Sequence, residues 1–118
     1  MAKICHTEST KKWDSKIMNV SEGNLEIKAE DNDGVFKGKH EGKNKDLFGR
    51  CFEEGGGLPH RIWFVVPATN HLYIGKFVNN DKITGHRFLI DVDTGTVQIE
   101  KSKEKEAVAD DWTAERPT

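Results

Sequence analysis

Long apolar runs are missing from this sequence. Nothing in it approaches the roughly 18 residues that a bilayer-spanning helix needs, and the opening MAKICHTESTKKWD has no apolar stretch of the kind a secretory signal carries. A chain of this kind is expected in the cytoplasm, or outside the cell if a leader has been removed, and apart from membranes. An excess of one charge is missing too: 18 Lys and Arg face 20 Asp and Glu, for a net charge of −2. Nucleic-acid binders carry a basic excess or stripe, so this balance argues against such a partner. Cysteine is scarce, and Cys5 and Cys51 in a cytoplasmic chain read as free thiols rather than as a bridge. Amphipathic helical periodicity is almost absent. Only Ser102–Ala109 has helical composition, and its residues are mostly charged.

Catalytic and metal signatures are equally thin. There is no G-x-S-x-G, no P-loop, no dinucleotide fingerprint and no C-x-x-C. The run Gly55-Gly56-Gly57 lacks the Lys-Ser/Thr and helix that phosphate binding would require. The five histidines form no i, i+2 or i, i+4 pair with one another or with Cys. His60 and His71, separated by one turn, are the nearest to a metal pair, and surface histidines are the plainer account. Asp91, Asp93 and Gly95 have an incomplete calcium-loop spacing and read as a turn. Cys51 beside His40 would make a nucleophile pair, against the simpler reading of a small core cysteine. The expectation is therefore no catalytic residue, no metal and no cofactor.

What is present is a series of short strands between turn residues. With 118 residues the chain fits one domain and one core, and residues 1–12 are expected to form a flexible segment ahead of it. Asn24–Ala29 alternates Leu25, Ile27 and Ala29 with Glu26 and Lys28, the pattern of a half-buried strand. Asp31-Asn32-Asp33-Gly34 is a hairpin signal. Strands follow at Val35–His40, Asp46–Glu53, Arg61–Val66, His71–Val78, Ile83–Val92, Thr96–Glu100 and Asp111–Arg116, with an opening strand near Trp13–Met18. Gly55–Gly57 and Pro59 read as a flexible loop, and Asn79–Lys82 as a hairpin turn. Eight or nine strands joined by short turns pair with their sequence neighbours. Closing such a sheet removes its sticky edges, so the chain predicts an all-β, up-and-down antiparallel meander barrel of about eight strands. Arg61–Val66 (RIWFVV) is apolar on both faces, which calls for cover by a partner or by another copy of the chain.

A repeat gives the barrel an inside and an outside. An apolar residue, any residue, Gly and then a basic residue recur at Phe36–Lys39, Leu47–Arg50, Tyr73–Lys76 and Ile83–His86. A mid-strand Gly marks a bend or close packing. Period-two alternation puts Phe36, Leu47, Tyr73 and Ile83 on the inner face with His40, Cys51, Phe77 and Arg87. Lys39, Arg50, Lys76 and His86 fall on the solvent face. An inward Arg87 expects a carboxylate or a ligand anion, or else sits at the rim with its head in water.

In this order the sequence resembles the avidin–streptavidin family of ligand-binding barrels. The resemblance runs from Lys12-Trp13 through Gly23–Ile27 and Gly34–Gly38 to Leu72–Phe77, and ends at Asp110–Arg116 (DDWTAER), which is similar to the family's D-D-W-K-A-T-R. It implies a closed eight-stranded barrel of the avidin or lipocalin type, a ligand at its mouth and self-association. The biotin-binding residues depart from the family pattern. The Asn two places after the first Trp is Ser15 here, the strand-three Tyr is His40, and the seventh-strand Trp falls near Arg87 or Phe88. Trp112 keeps a Trp that in the family reaches into a neighbouring subunit. The expected function is a non-enzymatic module for a small anionic or amphipathic ligand, contacted by Phe36, His40, Tyr73, Phe77 and Arg87 with Trp63 or Trp112 nearby, in a chain that forms dimers or larger homo-oligomers. The alternatives are a small-barrel isomerase or cyclase acting on a lipid-like substrate, and a protein-interaction or structural barrel that uses the outer face of Arg61–Val66.

Overall fold

The computed structural model describes residues 12–28, 30–53, 59–79, 81–89 and 110–116. They form β1 (Trp13–Ile17), β2 (Val20–Lys28), β3 (Val35–His40), β4 (Lys45–Glu53), β5 (Pro59–Val66), β6 (His71–Asn79), β7 (Lys82–Leu89) and β8 (Asp110–Glu115), with one 3-10 turn at Pro67–Thr69. Each strand pairs antiparallel with the next, and β8 returns to β1, closing the eight-stranded up-and-down barrel that the sequence predicts. The expected Thr96–Glu100 strand, the Asp91–Asp93 turn and the Ser102–Ala109 segment lie outside the described residues.

Local chemistry accounts for the corners. Met18 and Asn19 both take positive φ, 49° and 67°, the geometry of a tight hairpin whose twist matches its strands. Asp31 Oδ1 accepts from the amides of Asp33 (2.8 Å) and Val35 (3.0 Å), fixing the next corner around Gly34 at φ 84°. Asn79 Oδ1 accepts from the Asp81 amide at 2.8 Å in the same way. Pro59, expected in a loop, instead opens β5, where the first residue of a strand tolerates the missing N–H.

The repeated glycines point inward, as alternation requires. A Cβ at Gly38 would overlap the Glu26 carbonyl, and one at Gly85 the Ile74 carbonyl, so these positions let a tightly coiled sheet close. The inner face holds Trp13, Leu25, Phe36, Leu47, Cys51, Ile62, Phe64, Val66, Tyr73, Phe77, Ile83, Trp112 and Ala114, all buried. Phe64 stacks on Tyr73 (centroids 4.5 Å, 14°), and Trp112 meets both rings edge-on at 5.4 and 5.2 Å. Each such contact contributes about 1 kcal/mol beyond its buried area. At the barrel end opposite the Met18–Asn19 turn, Arg116 covers the Trp13 ring at 4.7 Å and donates from Nε to Asp81 Oδ1 at 3.1 Å. This clasp ties the far end of β8 to the β6–β7 corner.

The apolar outer side of RIWFVV has a local explanation. Val65 pairs with Phe48 and Leu72, and Leu72 with Phe88, forming one apolar row across β4–β7. Trp63 and Ile74 sit opposite each other in the adjacent row. Val65 is 7% exposed although it points outward, while Phe48 and Ile74 are 46% and 44% exposed.

Candidate functional site

Alternation would turn Glu22 outward, because Leu25 and Gly23 point in. A β-bulge changes this. Ser15 pairs with Gly23 while the next residue, Lys16, pairs with Ser21, leaving Glu22 unpaired between them. Gly23 takes φ 105°, which an L side chain rarely adopts, and packs against Gly42 of the β3–β4 turn. The extra residue throws the Glu22 carboxylate into the barrel interior.

There it gathers donors from three strands. Oε1 accepts from Ser15 Oγ at 2.7 Å and from the Tyr73 hydroxyl at 3.0 Å, and Oε2 accepts from the same hydroxyl at 3.2 Å and from Arg87 Nη1 at 3.4 Å. Ser15 Oγ in turn accepts from Trp112 Nε1 at 2.9 Å. Lys43 Nζ stands 3.9 Å from Oε2. Ser15 and His40 are fully buried, and the Glu22 side chain is 10% exposed. His40 Nε2 approaches Glu22 Oε1 to 3.2 Å without hydrogen-bond alignment, and both ring nitrogens of His40 lack a hydrogen-bond partner.

Burial alone would push the Glu22 carboxyl upward. The close His40 ring and the Ser15 and Tyr73 hydroxyls outweigh it and hold the carboxyl at about 2, below its ordinary 4.5. Tyr73 moves the other way: burial, then the neighbouring Glu22 charge, raise its phenol well above the ordinary 10. The chamber thus combines an ionised carboxylate, a neutral phenol, two cationic side chains and an imidazole.

The structure sorts the expected site residues into three groups. His40, Tyr73, Arg87 and Trp112 meet here, at the end carrying the Met18–Asn19 turn. Phe36 and Phe77 lie deeper, Phe36 edge-on to Phe64 at 6.5 Å and Phe77 edge-on to Trp13 at 6.0 Å, as core packing. Trp63 stands on the outer face, because its neighbours Ile62 and Phe64 fill the inner one. Arg87, expected to await a carboxylate or a ligand anion, finds the carboxylate within the chain at Glu22.

Other expectations need correction. Cys51 is half of a disulfide, not a free thiol, so it is no nucleophile for His40; Cys5 lies outside the described residues. His60 is the second residue of β5, whereas His71 begins β6 and pairs with Val66. Six residues of strand separate the two histidines, about 20 Å, and they form no metal pair. His71 instead shares the inward parity of Tyr73, meets its ring edge-on at 6.3 Å and contacts Thr69 Oγ1 through Nδ1 at 3.0 Å, which makes it a rim residue. Among the described residues no cluster of three His, Cys, Asp or Glu has metal-binding geometry. Compared with protein-family models, curated proteins and solved structures, the chain matches none.

Proposed function

We propose that this barrel is a non-enzymatic binding module that holds a small anionic molecule in the Glu22–His40–Arg87 chamber. The observation that carries the reading is His40: a fully buried imidazole whose Nδ1 has no hydrogen-bond partner and whose Nε2 faces Glu22 Oε1 at 3.2 Å out of hydrogen-bond alignment, in a network whose other polar groups are bonded. Buried polar atoms are rarely left so, and the usual partner is a ligand or an ordered water. The Arg87 and Lys43 side chains around Glu22 supply the cations an acidic ligand would meet, with Tyr73 and Trp112 as its aromatic walls. The resemblance to avidins supports a ligand at this end of the barrel. Replacement of the family's amide and phenol by Ser15 and His40, and the Glu22 carboxylate lodged beside them, argue against tight biotin binding.

The test is a thermal-shift panel of small carboxylates that includes biotin, run on the wild type and on His40→Leu. A ligand that raises the wild-type Tm and loses its effect in the folded variant supports the reading. A panel with no response, together with a crystal structure in which His40 bonds only an isolated water, overturns it. Self-association through the row Phe48, Val65, Leu72 and Phe88 is part of the proposal, since this outer face is more apolar than a strand facing water needs. Light scattering that returns a strict monomer would remove that part. The disulfide at Cys51 favours an oxidising compartment over the cytoplasm.

A further inference from the structure

The β1–β2 hairpin carries a motif that the ligand chamber leaves unused. Asn19-Val20-Ser21 is the one Asn-x-Ser/Thr sequence in the chain, and its middle residue is not proline. In a cytoplasmic protein it would have no consequence. The disulfide at Cys51 changes its standing, because disulfides persist on the secretory route, where such asparagines are glycosylated. The fold puts the motif at the surface. Ile17 pairs with Val20 across the two-residue tip Met18–Asn19, and Asn19, Val20 and Ser21 are all exposed. Turn chemistry explains the asparagine, which accepts a φ of 67° at little cost. It does not call for a hydroxyl two residues on. In the folded barrel Ser21 Oγ makes only long, exposed bonds, donating to Asp14 Oδ1 at 3.2 Å and accepting from the Gly23 amide at 3.4 Å. The neighbours of Asn19 also lack cover. Val20 and Met18, 69% and 62% exposed, are the two most exposed large apolar side chains among the described residues. Hairpin tips are ordinarily built from Gly, Asn, Asp and Ser, so this one is unusually apolar.

We propose that Asn19 is a site of N-linked glycosylation; this rests on the oxidising compartment that the disulfide favours and not on the occupant of the chamber. The donor is an oligosaccharide carried on a polyprenyl diphosphate. Asn19 Nδ2 attacks the anomeric carbon of its first sugar, and a carbon–nitrogen bond forms there. The bond from that carbon to the diphosphate oxygen breaks, the polyprenyl diphosphate leaves with the electron pair, and one amide proton passes to solvent. The Ser21 hydroxyl is the second group that the transferase reads. A glycan is bulky and hydrophilic. Rooted at the hairpin tip, it stands between Met18 and Val20 and screens both from solvent, while the buried interior of the barrel is untouched.

The test is peptide mass spectrometry of the full chain purified from its native source, treated with peptide-N-glycosidase in heavy-oxygen water. Trypsin releases the motif in the peptide Ile17–Lys28. The enzyme leaves an aspartate carrying one heavy oxygen in place of Asn19. Asn24 in the same peptide is followed by Leu25 and Glu26, so it keeps its amide and serves as the internal control. Variants are secreted from a eukaryotic cell line behind a cleavable leader. Asn19→Asp keeps a residue that tolerates positive φ but has no amide nitrogen, and Ser21→Ala keeps Asn19 without the hydroxyl. Both lose the glycan, whereas Ser21→Thr retains it. A native peptide in which Asn19 is unmodified, a secreted wild type with its disulfide intact and Asn19 bare, or a glycan that survives in Ser21→Ala overturns the proposal.

Discussion

Replacing Glu22 by Gln keeps the shape of the side chain and removes its charge. In the native barrel the carboxylate accepts from Ser15, Tyr73 and Arg87 and lies 3.2 Å from His40. The drop in its pKa from 4.5 to about 2 corresponds to about 3 kcal/mol of stability at neutral pH. The Gln amide faces donors with a donor of its own, so that contribution is lost at pH 7. For a barrel of this size, about 3 kcal/mol lowers the Tm by about 12 °C. The sign with pH follows from the depressed folded value. Below the unfolded value of 4.5 the wild type progressively loses the contribution, and by about 2 it has lost it. The variant has no carboxyl to titrate there. Urea unfolding of both proteins at pH 7, 5 and 3 should show a gap of about 3 kcal/mol that is more than half closed by pH 3. A gap below about 1 kcal/mol at pH 7, or one that stays constant down to pH 3, would refute the account of Glu22 as a buried, ionised hub.

The other predictions follow the same network and the closure of the sheet. Tyr73 is the chain's one tyrosine, so absorbance at the phenolate band reports it alone; ionisation should begin well above the ordinary 10 and coincide with unfolding, and a native titration near 10 would contradict its burial against Glu22. Trp112→Phe keeps the ring packing but deletes the bond from Nε1 to Ser15 and should cost about 1–2 kcal/mol in urea unfolding, where no change would make that bond idle. Gly85→Ala drives a methyl into the Ile74 carbonyl and should destabilise by at least about 2 kcal/mol, whereas a neutral result would show that the sheet can relax there. Arg116→Ala removes both the cover over Trp13 and the Asp81 bond, so tryptophan emission should shift to the red with a loss of about 1–2 kcal/mol; an unchanged spectrum would mean that Trp13 is shielded without it.

Much of the barrel could be read from the sequence because its strands alternate cleanly. The repeat around Gly38, Gly49, Gly75 and Gly85 placed Phe36, His40, Tyr73, Phe77 and Arg87 inside and Lys39, Arg50, Lys76 and His86 outside; Phe36, His40, Tyr73 and Phe77 are buried, Lys76 and His86 exposed, and Lys39, Arg50 and Arg87 half-buried. The centre of the site escaped because alternation fails at a bulge. Glu22 has the parity of an outward residue and acquires an inward one only through the unpaired step at Gly23. An isolated glycine within a strand is a known mark of a bulge, and Gly23 followed by the regular Leu25–Ile27 run was that mark. Trp63 was drawn toward the mouth because RIWFVV is apolar at every position but one, which hides its parity. His71 has the parity of Tyr73 in plain view, although its reading as a surface histidine left it out of the site. The disulfide at Cys51 left no local trace, since pairing depends on compartment and on contacts remote in sequence.

The relay from Trp112 through Ser15 to Glu22 crosses β8, β1 and β2, and so it spans the seam where the last strand meets the first. Every other pairing joins strands consecutive in the chain, whereas β1–β8 is the closure with the longest loop and the largest entropic cost. Chamber and seam therefore form in the same event. On the proposed function, a molecule bound against His40 would act as a latch on the ring, since β1 and β8 cannot part without tearing the relay open. Amide exchange at that seam would then be the slowest in the barrel and would set how often two bare strand edges are offered to solvent or to a protease.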